Sequence, residues 1–216
     1  MFKGNKIYKI DKQGNKKRVF WIPGIRIKFK GRNSTITIAE PAARFINCRI
    51  LCGDNCKVSI GPSKNRIKKL KIFLNDCDNS QVNIGNNFHL TNGCEMILNP
   101  ENNLSINIGN DCKFAKDIAI RATDAHLIRD INSGKIINYG KSITIGNRVW
   151  LTANVTVLKG ADISNDVIVA TNSTVTKGDY NSNSIYAGSP AKLVKTGITW
   201  QVEAPSIELD NITQFD

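Results

Sequence analysis

The chain is predicted to be all-β: a parallel β-helix with one protruding loop and a short C-terminal extension. Three observations lead there. An aliphatic residue opens every block of six from Ile145 to Tyr180. A looser form of the same spacing reaches back toward residue 46. The pattern has one long break, "LIRDINSGKIINYGKS", over residues 127–142.

The regular stretch reads IGNRVW LTANVT VLKGAD ISNDVI VATNST VTKGDY, with Ile145, Leu151, Val157, Ile163, Val169 and Val175 at the head of each block. An α-helix, at 3.6 residues per turn, would smear six-spaced residues around its surface. The fifth place is small or β-branched in Val149, Val155, Ala161, Val167 and Ser173, and the rule ends at Asp179. A short strand and a turn satisfy this pattern, with the aliphatic side chain entering a narrow core. Three such faces close a coil, and coils stack as parallel strands ~4.8 Å apart.

Upstream the repeat is less even. CGDNCK starts at Cys52, LTNGCE at Leu90 and IGNDCK at Ile108, while Ile60-Gly61, Ile84-Gly85 and Ile108-Gly109 recur twenty-four residues apart. The solenoid is therefore expected over residues 46–180. Residues 1–45, which alternate around Ile25, Ile27 and Phe29, are expected as a cap or β segment, because a solenoid coil needs its ends covered. Residues 181–216 form the extension, irregular after Lys195.

Charge is uneven. The formal net charge is +12, and up to Lys71 there are nineteen Lys/Arg against three Asp/Glu. Such a segment attracts anions or serves as a solvated face. The six cysteines include no CxxC pair, which argues against a zinc ribbon, and they are expected as reduced thiols in the core. No stretch approaches the ~18 apolar residues of a membrane span. The basic start lacks the apolar run of a signal peptide, so a cytoplasmic location is expected. Aromatic content of 7% with no stacking motif among the lysines argues against nucleic acid as a partner.

Counting sixes from Ile108 gives Phe114, Ile120 and then His126, at the base of the break. A neutral imidazole can take a proton from a hydroxyl that attacks a carbonyl. Asp124, in "TDAH", either supports the imidazolium or forms a turn. His89 reads as structural or solvent-facing. With two histidines in the chain, a three-histidine zinc site is not supported.

The string TDAHLI…INYGKSITIGNRVWLTANVTVLKGADISNDVIVATNSTVTK…IYAGSPAKLVK resembles the hexapeptide-repeat acyltransferases. It is similar to their galactoside and bacterial surface-polysaccharide O-acetyltransferase branch, sialic-acid capsule enzymes included. The resemblance covers residues 121–195. It implies a left-handed β-helix, a homotrimer with active sites between subunits, acetyl-CoA as donor, no metal, and a carbohydrate acceptor, with acidic polysaccharides among the candidates. It makes His126 the general base and places Trp150 on the acyl-CoA and acceptor cleft. Contacts to CoA fall on Ala153, Thr171, Thr176 and Lys177, with Lys192 and Lys195 near its phosphates. Leu127 stands where the family has Pro, and Thr152 where it has Gly.

The reading is an O-acetyltransferase acting on a sugar hydroxyl. Two alternatives stay open: N-acetylation of a nucleotide-linked amino sugar, and a catalytically silent β-helix that binds polyanions.

Overall fold

The computed structural model describes residues 3–202. Two sheets wind around one apolar core, and among the described residues there is no helix. The first face of the prism runs through Lys6–Ile10, Thr35–Ala39, Lys57–Ile60, Gln81–Ile84, Ser105–Ile108, Ile143–Ile145, Ala161–Ile163 and Gly178–Tyr180, each parallel to the last. The second sheet makes the other two faces. In the coils before the break, long strands such as His89–Ile97 and Lys113–Arg121 bend around the corner between faces two and three. After it the faces separate: Trp150–Leu151 and Val167–Val169 lie on the second, Thr156–Leu158 and Thr174–Val175 on the third.

The six-spaced aliphatics are the core. Ile145, Leu151, Val157, Ile163, Val169 and Val175 are at most 1% exposed, and Ile60, Ile84, Ile108 and Ile145 stack in register from coil to coil. Burying each contributes about 1.5–3 kcal/mol. Phe88 and Phe114 meet edge to face at 4.9 Å. All six cysteines are free and buried.

The corners explain the asparagines. Asn55, Asn79, Asn103, Asn154 and Asn172 adopt left-handed backbone angles, which Asn tolerates better than other residues with a side chain. Their amides then bond along the axis: Asn79 to Asn103 at 2.8 Å across twenty-four residues, and Asn154 to Asn172 at 3.0 Å across eighteen. The early coils are thus longer than the late ones.

Winding begins near the start of the described chain. Lys6–Ile10 pairs with Thr35–Ala39, and Ile25–Phe29 with Cys48–Asp54, all parallel. An antiparallel strand, Lys16–Val19, lies outside Lys6–Ile10 and forms that sheet's edge. At the other end, Ser184–Ala187 still adds to the second face, and Lys192–Thr196 turns back antiparallel to cover it. The remainder of the expected extension, 203–216, lies outside the described residues.

Candidate active site

The break leaves the solenoid at the corner between the third face and the first. Ala122 and Thr123 are still buried after the Lys113–Arg121 strand. Ala125 then takes a left-handed φ of 67°, and the chain emerges at His126. The repeat count therefore ends in the core at Ile120; His126, next in the count, is exposed. Beyond it the loop is a small hairpin. Arg129 and Ile136 bridge, Ile137 N–H donates to Ile128 C=O at 3.0 Å, and the Asp130 carboxylate caps the turn through Asn132 and Ser133. Lys141 N–H returns to Ala122 C=O at 2.9 Å, so the loop leaves and re-enters at one point.

Side chains from three coils brace that point. Asn138 donates from Nδ2 to the His126 carbonyl at 2.7 Å and to Asp124 Oδ2 at 3.1 Å, and its Oδ1 accepts from Ile128 N–H at 2.7 Å. Lys159, one coil on, ion-pairs with Asp124 and donates to the Asn138 carbonyl at 2.7 Å. The hydrogen bond from Lys159 holds the Asp124 carboxyl below its usual value against a smaller opposing effect of burial. Glu101 accepts from Thr123 Oγ1 and, at 2.6 Å, from Gly140 N–H. Asp124 thus reaches His126 through Asn138 and the main chain rather than through the ring. Among the described residues the imidazole has no hydrogen-bond partner.

Lysines gather on the same corner. A Cβ at Gly160 would sit 3.1 Å from Lys177 Cγ and 3.2 Å from Lys141 Cδ, which places both stems against it. Contact with Lys177, and the nearby charge of Lys159, push the Lys141 amine below its usual value. Thr176 and Lys177 therefore share the histidine's corner. Ala153 and Thr171 occupy a different one, between faces two and three, where Thr171 Oγ1 donates to Thr152 Oγ1 at 3.2 Å and Thr152 Oγ1 to Val169 C=O at 2.8 Å. The Thr152 N–H is committed to Val169 C=O at 3.1 Å. Lys192 and Lys195 are exposed on the terminal antiparallel strand.

Trp150 opens the second face, at another edge of the prism from His126. Its ring packs against Trp200 at 5.8 Å, and its buried Nε1 has no acceptor among the described residues. Such an N–H costs about 1–3 kcal/mol until an acceptor meets it. Trp200 is locked by Nε1–H to Arg148 C=O at 2.6 Å, with the Arg148 guanidinium 5.5 Å over its ring. One chain does not bring His126 and Trp150 together. His89 is half-buried on a strand, near Thr91, with its imidazole held below its usual value by burial and then by Lys113 and Arg66.

Glu101, Asn138, Lys141, Lys159 and Trp200 were not singled out from the sequence. No motif marks them: Lys159 and Asp124 are thirty-five residues apart, and Trp200 and Arg148 fifty-two. Only the winding makes them neighbours.

No family model matches the chain. A polysialic acid O-acetyltransferase of Neisseria meningitidis is 58% identical over 90 residues, a segment that spans 42% of this chain and 42% of that relative. Among solved structures, the polySia-specific acetyltransferase NeuO aligns with a TM-score of 0.74 at 29% identity, over 93% of this chain and 79% of that one. The polysialic acid O-acetyltransferase OatWY aligns with a TM-score of 0.66 at 27% identity, over 93% and 89%. The shared architecture is the left-handed parallel β-helix. Its repeat and its interrupting loop agree with these relatives, and the chain is similar to polysialic acid O-acetyltransferases built on that fold.

Proposed function

We propose that the protein is an acetyl-CoA-dependent O-acetyltransferase whose acceptor is a sugar hydroxyl of an acidic bacterial capsular or surface polysaccharide, with sialic-acid polymers the foremost candidates. One observation carries the reading: His126 stands at a braced corner, its backbone fixed by Asn138 and its ring open. The activity named for the relatives supports the acceptor class.

In this reading His126 accepts the acceptor's hydroxyl proton as that oxygen attacks the thioester carbonyl. The tetrahedral intermediate then expels the CoA thiolate, which takes the same proton from the imidazolium. Proton transfer of this kind contributes about 10²–10⁴-fold. Ala153 N–H is the candidate donor to the oxyanion. Lys177, with Lys141 beside it, and the exposed Lys192 and Lys195 suit phosphate groups as point charges. Thr171 and Thr176 offer hydroxyls along the donor's path, and Trp150 lines the cleft.

Since His126 and Trp150 lie on different edges, a complete site is assembled between subunits of a homotrimer. The hairpin supports this. Leu127, Ile128, Ile131, Ile137 and Tyr139 are more than half exposed, Ile131 to 94%. A neighbouring subunit would cover such a surface. Acetyl-CoA as donor places the reaction in the cytoplasm, and among the described residues no helix is long and apolar enough to cross a membrane.

The test is thiol release from acetyl-CoA in the presence of sialylated and uronic-acid polymers. Release is expected with an acidic glycan, and His126→Ala is expected to lower it about 10²–10⁴-fold without unfolding the protein. Turnover above a few per cent of wild type in that variant would overturn the assignment.

A further inference from the structure

The basic N-terminal third forms a pocket far from His126. Lys6–Ile10 and Lys16–Val19 pair antiparallel, setting Lys9 opposite Lys17, Tyr8 opposite Arg18 and Ile10 opposite Lys16. The chain then turns through Phe20, Trp21 and Pro23 and encloses an open cavity of about 610 Å³ against this hairpin. Phe20 and Trp21 are 70% and 69% exposed.

The charges lining the cavity do not cancel. Glu40 is paired with Lys9 at 3.1 Å. The Asp11 carboxylate is held by its own turn, accepting from Gln13 N–H, Asn15 N–H and Asn15 Nδ2 at 2.9, 2.9 and 3.0 Å. Among the described residues Lys16, Lys17 and Arg18 enter no ion pair. Three cations outside any ion pair, against the single remaining carboxylate of Asp11, leave the lining net positive, and beside an exposed indole they form a site with two complementary parts. The cations attract carboxylates, and the planar guanidinium can bind one through two parallel hydrogen bonds. The indole offers an apolar face to the C–H side of a sugar ring. A solubilising surface has no use for an exposed Trp.

We propose that this pocket binds a stretch of the acidic polysaccharide acceptor outside the catalytic corner, with Lys16, Lys17 and Arg18 meeting sugar carboxylates and Trp21 stacking on a ring. The proposal rests on the acceptor class assigned above. The edge strand and the strand preceding the His126 coil are five ladder steps apart in one sheet, or ~24 Å at ~4.8 Å per step. A long polymer can reach both places and a short oligomer cannot. Tethering at the pocket then raises the effective concentration of the chain at the catalytic corner.

The experiment compares wild type, Trp21→Ala and the double variant Lys17→Glu/Arg18→Glu. Acceptors are a long sialic acid polymer and a sialic acid trimer, and polymer binding is also titrated directly without acetyl-CoA. Both variants are expected to raise KM for the polymer ~10-fold or more, with kcat and the trimer's KM unchanged. Equal effects on both acceptors, or none on the polymer, would overturn the proposal. If wild type acetylates neither acceptor, the acceptor assignment falls while the titration still decides the pocket: weaker polymer binding by Trp21→Ala supports it, and equal binding overturns it. Single-stranded DNA is the control polyanion. If both variants weaken DNA and the sialic acid polymer alike, the site is one of mere charge and the proposal fails.

Discussion

Asn138 donates to the main-chain carbonyl of His126 at 2.7 Å, so a residue near the end of the loop holds the residue at its start. The same side chain binds Asp124 and the Ile128 N–H, and Lys159 holds both Asp124 and the Asn138 carbonyl. The position of the ring is thereby set through its backbone.

Asn138→Ala should therefore act on catalysis without touching the reacting atoms. Displacement of a catalytic group by ~1 Å can cost ~10²-fold, so kcat is expected to fall between about ten- and a hundredfold. The KM for acetyl-CoA should stay near wild type. Asn138 is only half-buried and lies on the loop outside the core, so the unfolding midpoint should change little. An unchanged kcat would show that the brace does not position His126.

The Asp124–Lys159 pair gives a pH dependence whose sign follows from its shift. The Asp124 carboxyl is held below its usual value, chiefly by the Lys159 hydrogen bond. Its stabilising effect is complete above the ordinary carboxylate range and is lost as pH falls through the lowered value. Proteolysis of the hairpin should thus stay constant from pH 8 to 5 and accelerate only below the ordinary carboxylate range. Asp124→Asn should remove that acid dependence and nick faster at neutral pH. The Asp124 side chain is 43% exposed, so solvent screening limits the pair to less than about 1 kcal/mol. A wild-type proteolysis rate that rises between pH 8 and 5 would be inconsistent with this pair as the latch.

The contrast between core and corner shows what the sequence could reveal. Ile145 through Val175 were legible because one aliphatic per face is a local rule, and Leu151 or Val169 obeys it without reference to distant residues. His126 was legible as the last position before the break, although the count alone would have put it in the core. Asn138 and Lys159 were not legible, because their partners are set by how the coils stack and by where the hairpin returns. Nor was the start of winding. Ile25, Ile27 and Phe29 alternate as any strand does, and their place beside Cys48–Asp54 follows only from the register.

The Ile-Gly pairs carry a last prediction. Gly61, Gly85, Gly109 and Gly146 follow the stacked isoleucines, and each sits against the next. A Cβ on Gly85 would lie 2.6 Å from the Gly109 carbonyl carbon and oxygen and 2.7 Å from Asn110 Oδ1. Neither backbone can retreat easily, because Gly85 N–H is bonded to Ile108 C=O at 2.8 Å and Gly109 N–H to Ile145 C=O at 2.8 Å. Gly85→Ala should therefore destabilise by about 1–3 kcal/mol, as overpacking does. Ile84→Val, which removes a methyl from the adjoining core position, should cost about 0.5–1.5 kcal/mol. Urea unfolding of the two variants side by side tests the ranking. If adding the methyl at residue 85 proves no worse than removing one at residue 84, the coils have slack at this corner and close packing does not explain the glycine ladder.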